Sequence, residues 1–331
     1  MLAKEWVLES TPIGAPQPSD FALREWRVPE LKEGELLVAN SFISVDAGMR
    51  DRLGRDSYGP QTGRGEVIDG FTVGNVLASE NPRFEVGDRV TSGGGWRTHY
   101  VSNGRGLLRL DPELFSPPIS ESTAIGVLGV SGLTAYFGLT KVARIWPGET
   151  VLVSSAAGTV GGTAGQIARI NGCRVVGIAG GPDRCRYVTE VLGFDDCLDR
   201  HAPDLSIADA CLDGVDVYFD NVGGELADLA LLSMNRGGRM VVAGQVSEYN
   251  LAEPRGVRHL REVVERRIRI EGLVVWDFLA EFRTAMELMA GWIREGKLVY
   301  TEQIVDGFES VPRLFCDLFT HAGPGRSLVR L

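Results

Sequence analysis

Along the first 120 residues, hydrophobic and polar positions alternate in short runs broken by Gly, Pro and Asp. "ELLVANSFISVD", "GFTVGNVLASE" and "GDRVTSGG" each set β-branched residues between turn signals, which predicts strands of a compact, mostly antiparallel β domain. Gly87-Asp88 in "NPRFEVGDRV" reads as a tight turn just before one of these strands. From about residue 122 the period changes. "ESTAIGVLGVSGLTAYFGLTKVA" is apolar with small residues and predicts one or two packed helices. Strands and helices then alternate: "TVLVSSA", a helix over 160–171, "RVVGIAG", a helix over 184–192, "CLDR", a helix, "VDVYFDNVG", a helix, and "GGRMVVAGQ". Such alternation predicts an α/β fold with a doubly wound parallel sheet. "IRIEGLVVW" adds a strand before the amphipathic "FLAEFRTAMELMAGWIREG", and the last stretch, ending in "RSLVRL", returns to the first domain.

Composition narrows the class. A chain of 331 residues suits two domains, and 44% hydrophobic with 24% charged residues is ordinary for a soluble enzyme. A formal charge of −10 disfavours nucleic acid and anionic membrane as partners, because phosphates are repelled. The N-terminal "MLAKEWVLES" has acidic residues and no apolar run, and no window reaches the roughly eighteen apolar residues of a membrane span. Five cysteines without a framework spacing fit a reducing compartment. A cytoplasmic location is the expectation.

The strand "TVLVSS" runs into Ala156-Ala157-Gly158-Thr159-Val160-Gly161, an A-x-G-x-x-G in place of G-x-G-x-x-G. A strand, a Gly-rich turn and a helix start bring backbone N–H groups to a pyrophosphate. About twenty residues on, an NAD enzyme carries Asp or Glu for the ribose 2′-hydroxyl. Here the strand ends in Gly180-Gly181-Pro182, followed by Arg184 and Arg186, with Arg200 at the end of the next strand. The plainer reading of any one arginine is an exposed helix face. Without a carboxylate at the strand end, however, arginine forks suit a 2′-phosphate, so the cofactor expected is NADP(H). No cysteine precedes Cys173, and His99 is the one histidine of the first domain, so the thiolate and imidazole set of a catalytic zinc is missing; no metal is expected.

The segments "SVDAGMR", "GVLGVSGLTAYFGL", "AAGTVGGTAGQIA", "GCRVVGIAGGPDRCRYVTEVLGFDDCLD", "YFDNVGGE" and "SEYN" span nearly the whole chain. In these it resembles the zinc-independent medium-chain dehydrogenase/reductase superfamily. Within that superfamily the wording is that of the NADP-dependent alkenal/one double-bond reductases, the group of the leukotriene B4 dehydrogenase/prostaglandin reductases and bacterial curcumin reductases. The resemblance implies a GroES-like β domain (1–121 and 296–331) around a Rossmann NADP-binding domain (122–295), in a homodimer. It implies hydride transfer from NADPH to the β-carbon of an α,β-unsaturated ketone or aldehyde. Arg184 matches the basic residue at the 2′-phosphate, Asn221 sits beside the cofactor, and Tyr249 matches the tyrosine at the substrate carbonyl. Gly244 joins Asn221 at a strand's C-terminal end, and Met49, Tyr58 and Trp276 are the candidate pocket residues. The chain departs from the group at Gly48, where relatives place a second pocket tyrosine, at Arg200, where many have Tyr, and at Gly323, where they have Asn. A quinone reductase shares fold and cofactor, and a non-catalytic NADPH-binding protein is the alternative from another class.

Overall fold

The computed structural model describes residues 1–331 apart from Asp56, Tyr58, Pro60, His321 and Ala322. The chain forms two compact units. The first comprises Met1–Ile125, Glu302–Gly323 and Ser327–Leu331; the second comprises Gly126–Thr301 and Pro324–Arg326.

In the first unit the alternating runs become an antiparallel sheet. Its strands lie in the order Glu302–Asp306, Arg326–Arg330, Leu36–Ser44, Thr72–Ser79, Arg89–Ser92 and Leu108–Arg109, with His99–Ser102 also on Leu36–Ser44. Leu2–Leu8 and Phe21–Arg27 pair as a separate hairpin. Trp96, fully buried, packs its ring against Phe21 and Phe315 at centroid distances of 5.2 and 5.5 Å. Gly87 takes a φ of +93° just before the strand at Arg89, the turn geometry the Gly-Asp pair predicts.

The second unit is the doubly wound sheet. Six parallel strands lie in the order Asp196–Asp199, Arg174–Ala179, Thr150–Ser154, Val215–Asp220, Met234–Val242 and Arg269–Gly272. The strand Thr150–Ser154 is buried throughout, as a central parallel strand covered on both faces must be. One set of helices joins Val130–Phe137 to Thr159–Ile170 and Phe282–Arg294; the other groups Ile207–Ala210 and Leu260–Arg266 around Gly224–Ser233. The helix expected over 184–192 begins earlier, at Pro182, because Gly181 turns the chain at φ +91° and proline is pre-set for a first helical position. After Arg186 it widens into a π-helical turn, Tyr187–Val191.

The strand order reverses between Thr150–Ser154 and Val215–Asp220, which pair in parallel, so the crevice of this sheet opens at their C-terminal ends. Those ends are laced together by one carboxylate. Asp220, 1% exposed, accepts on Oδ1 from the Tyr218 hydroxyl at 2.8 Å, the Gly223 N–H at 2.9 Å, the Val222 N–H at 3.0 Å and the Ser154 hydroxyl at 3.1 Å. Its Oδ2 is buried with no hydrogen-bond partner among the described residues. Ser154 Oγ in turn accepts the Asn221 N–H at 2.9 Å, and the Ser154 carbonyl accepts from Asn221 Nδ2 at 2.8 Å. Burial raises the Asp220 carboxyl above the usual range, although these donors oppose the shift.

Replacing Asp220 by Ala strands four donors and is expected to cost about 2–4 kcal/mol of stability in denaturant unfolding. Asp220→Asn keeps an acceptor at Oδ1 and is expected to cost less. Because the folded carboxyl is raised, its contribution is fully present in acid and lost as pH rises through the folded value. Asp220→Asn therefore gains on the parent as pH rises from about 4 to 7; a constant gap would remove Asp220 as the titrating group.

Candidate functional site

The cradle follows directly from the strand at Ser154. Ser155 takes a φ of +53°, and the Ala156 N–H donates to the Ile178 carbonyl at 3.0 Å, binding the turn to the neighbouring strand. The fingerprint's first glycine is Ala156 here, and the structure shows why a methyl group is accepted. It packs against Gly177 of the neighbouring strand, where any Cβ would come within 2.8 Å of the Ala156 Cβ. The space is used once, by one residue of the pair. Gly158 N-caps the helix Thr159–Ile170, and among the described residues no side chain caps that end, where the first-turn N–H groups have no partner within the helix. A Cβ at Gly161 would collide with the Ser155 carbonyl oxygen, and one at Gly165 with the Phe194 ring. These glycines set how closely the helix approaches the strand end.

A contact that the sequence reading missed comes from the far end of the chain. The Gly325 N–H donates to the Ala157 carbonyl at 2.8 Å, and Gly158 and Gly325 form a parallel bridge. Residues 324–326 thus edge the cradle within the second unit. The "PGR" turn before the last strand was the available signal, but turn chemistry does not name its distant partner.

At the next strand end three nitrogens converge. A Cβ built at Gly180 would find Arg200 Nε at 3.0 Å, Arg184 Nη1 at 3.3 Å and His201 Nε2 at 3.3 Å. Asp199 closes the strand Asp196–Asp199, and its Oδ1 accepts the Gly181 N–H at 2.8 Å and the His201 N–H at 2.9 Å. Those backbone donors, His201 first and then Gly181, hold the carboxyl below its ordinary range. A carboxylate does lie near this strand end, but it is turned to the backbone of two loops. Sequence reasoning singled out the two arginines and passed over both Asp199 and His201.

Asn221, Gly244 and Tyr249 also come together. A Cβ at Gly244 would lie 3.3 Å from both the Asn221 carbonyl oxygen and the Tyr249 hydroxyl, so only glycine leaves the phenol this close to the strand end. Tyr249 Oη accepts the Gln245 N–H at 3.2 Å. Asn221 spends its amide N–H on Ser154, which makes it a brace of the crevice wall.

The remaining pocket candidates are not gathered in this way. Trp276 is 46% exposed and tilts against Phe282 with centroids 5.8 Å apart. Met49 is 2% exposed in the core of the first unit with Leu8, Phe21, Val45 and Leu53, and its sulfur receives the Asp46 N–H at 3.3 Å. Tyr58 lies outside the described residues. A Cβ at Gly48 meets nothing within 4 Å, whereas one at Gly323 would run into the Gln303 side chain. His99 is half-buried, with Nδ1 3.1 Å from Thr98 Oγ1, and burial lowers its pKa. Among the described residues no three His, Cys, Asp or Glu side chains are grouped to hold a metal ion, and no helix is long and apolar enough to cross a membrane.

Comparison with known proteins follows the same division of the chain. Residues 4–110 match the family described as the N-terminal domain of oxidoreductase, and residues 159–291 match the zinc-binding dehydrogenase family. The chain is 40% identical to the NADPH-dependent curcumin reductase of Escherichia coli (strain K12), covering 99% of this chain and 96% of that one. It is 35% identical to prostaglandin reductase 1 of Bos taurus over 99% of both. The crystal structure of CurA from Vibrio vulnificus in complex with NADPH superposes with a TM-score of 0.93 at 35% identity, covering 99% of this chain and 98% of the other. The chain belongs to the medium-chain dehydrogenase/reductase superfamily, in its group of NADP-dependent double-bond reductases.

Proposed function

We propose that this protein is an NADPH-dependent reductase of the activated carbon–carbon double bond in α,β-unsaturated ketones and aldehydes. The observation that carries the reading is the convergence of Arg184 and Arg200 beside Gly180, in a chain whose relatives are named as curcumin and prostaglandin reductases. The site fits the cofactor by construction. Gly158 and Gly161 let the helix start come close to the strand end for a pyrophosphate, and the Arg184 and Arg200 guanidinium groups that converge beside Gly180 are donors suited to a 2′-phosphate. When bound, the cofactor supplies the hydride that adds to the β-carbon of the conjugated system.

The protein's own residues bind and orient, one hydroxyl donates to the carbonyl oxygen, and the proton that the α-carbon takes up comes from solvent. The N–H groups of Thr159, Val160 and Gly161 hold phosphate oxygens, while Ala156 keeps the turn closed on its strand. Asn221 and Gly244 form the wall at the strand ends. As hydride arrives at the β-carbon, negative charge grows on the carbonyl oxygen and calls for a positioned donor. Tyr249 is that donor, since a phenol is protonated at neutral pH. Gly48, with open space at its Cβ, leaves the first unit without a second such hydroxyl at that position. The reaction proceeds without metal, a reading supported by the absence of cysteine before Cys173. A homodimer is supported by the strand Arg269–Gly272, a sheet edge with all four residues exposed, and a cytoplasmic location by five unpaired cysteines.

Three measurements test this reading. Arg184→Ala is expected to raise the KM for NADPH about tenfold to a hundredfold and leave NADH nearly unchanged, the effect of losing a charged hydrogen bond to phosphate. Equal efficiency of the parent with both cofactors would sink the NADP assignment. Tyr249→Phe is expected to lower turnover on enones by about tenfold to a thousandfold at unchanged NADPH affinity. Turnover at the parent rate would place the donor elsewhere. Prolonged chelation should leave the rate unchanged, and inactivation that zinc reverses would overturn the metal-free mechanism.

A further inference from the structure

We propose that Glu248 is a positioning residue for the reaction: its buried carboxylate holds the loop 248–259 closed and so fixes the Tyr249 hydroxyl at the strand end. The inference rests on the reading of Tyr249 as the donor to the carbonyl oxygen. Tyr249 belongs to neither a helix nor a strand. It lies in the turn 246–250, just beyond the strand Met234–Val242. A side chain on such a turn has no ladder to hold it, and a reacting group displaced by about 1 Å can cost about a hundredfold in rate.

Glu248 anchors that turn in three directions. Its N–H donates to the Gln245 carbonyl at 2.8 Å, its carbonyl accepts the Leu251 N–H at 3.0 Å, and its Oε2 accepts the Arg255 N–H at 2.6 Å. The first two bonds close the backbone on either side of Tyr249, and the third draws in the chain seven residues further on. The Glu248 residue is 8% exposed, and glutamate is seldom buried without a partner; here the partner is the loop's own backbone. The seat for this carboxylate lies on the neighbouring helix. Gly224 opens the helix Gly224–Ser233 at a φ of +57°, and a Cβ there would stand 2.9 Å from Glu248 Oε1 and 2.8 Å from Ser247 Oγ. Only glycine lets the side chain lie this close. One turn along, the buried Asp228 accepts on Oδ1 the N–H groups of Arg258 at 2.7 Å and His259 at 3.1 Å. Positions 224 and 228 share a helix face, so that face receives both ends of the loop. Between these anchors Tyr249 Oη accepts the Gln245 N–H, a bond that uses a lone pair of the oxygen and not its hydrogen. Negative charge grows on the substrate carbonyl oxygen as hydride arrives, and the phenol must already be in place to donate to it. Glu248 acts on the reaction through Tyr249 alone.

The test is turnover of benzalacetone and cinnamaldehyde, an α,β-unsaturated ketone and aldehyde, together with the Kd for NADPH. The proteins compared are the parent, Tyr249→Phe, Glu248→Ala, Glu248→Gln and the double variant Tyr249→Phe/Glu248→Ala. Glu248→Ala is expected to lower kcat and kcat/KM together by about tenfold to a hundredfold, with the Kd for NADPH within about twofold. Glutamine keeps an acceptor for the Arg255 N–H, so Glu248→Gln is expected to recover turnover to within about threefold of the parent. In the Tyr249→Phe background the alanine change is expected to cost less than about twofold, because the hydroxyl it positions is gone. Should Glu248→Ala not fold, Arg255→Pro removes the donated N–H at an exposed position and is expected to show the same loss and the same non-additivity. Parent turnover in Glu248→Ala, no recovery with glutamine, or a full loss added to that of Tyr249→Phe overturns the role of Glu248. Any of these beside an impaired Tyr249→Phe leaves the donor assignment standing. If Tyr249→Phe itself runs at the parent rate, the donor assignment fails and the positioning role falls with it. A parent inactive on both substrates removes the reaction that the role serves.

Discussion

The crevice of the parallel sheet depends on a single buried oxygen. Asp220 Oδ1 takes hydrogens from the end of its own strand, from the turn that follows, and from Ser154 on the neighbouring strand. Two strands that diverge at a switch point have no ladder bonds left to hold their ends in register, so a side chain must do it. The bond is not free of cost, because burial disfavours the charged carboxyl and leaves Oδ2 without a partner. Carrying that cost makes sense where the turn 221–224 and the cradle 155–161 must keep a fixed spacing, since both begin at residues this network touches.

Backbone proximity is the second constraint, and it explains the departure of the cradle from the usual fingerprint. A glycine at the first position normally gives room for the turn. Here the room is supplied by Gly177 on the adjacent strand, and Ala156 fills it. The same logic runs through Gly161 against Ser155 and Gly165 against Phe194. At Gly180 a Cβ would instead meet nitrogens, Arg200 Nε at 3.0 Å and Arg184 Nη1 and His201 Nε2 at 3.3 Å.

Much of this was legible along the chain. The change from period-two alternation to strand–helix repetition near residue 122 places the antiparallel and parallel sheets, and the run of segments from "SVDAGMR" to "SEYN" carries the family and the cofactor. What could not be read were the pairings between distant positions. Ser154 and Asp220 are 66 residues apart, and Gly325 meets Ala157 from the opposite end of the chain. Asp199 and His201 sit in "CLDRHAP", where the local pattern says only that a strand ends. Their meaning depends on Gly180 and Gly181 lying one strand away, a neighbour relation that parallel topology creates and periodicity does not report. Met49 shows the converse: a residue inside a motif segment, "SVDAGMR", whose side chain the fold commits to the core.

Asp199 and Asp220 are the same device in two environments. Each closes a parallel strand and uses one oxygen to gather backbone N–H groups of the turn beyond, a short acidic side chain standing in for the missing ladder. Their protonation runs in opposite directions. Asp199, partly exposed, is held below its ordinary range by its donors, so its contribution is present above the unfolded value and lost only as pH falls through the folded one. Asp220, buried, is raised, so its contribution is lost as pH climbs. The charged form thus stays with the residue that ties the loops of two neighbouring strands together. That carboxylate is engaged by the backbone N–H groups of Gly181 and His201. In a chain of net charge −10, the nitrogens of Arg184, Arg200 and His201 are a local gathering of donors around one missing methyl group.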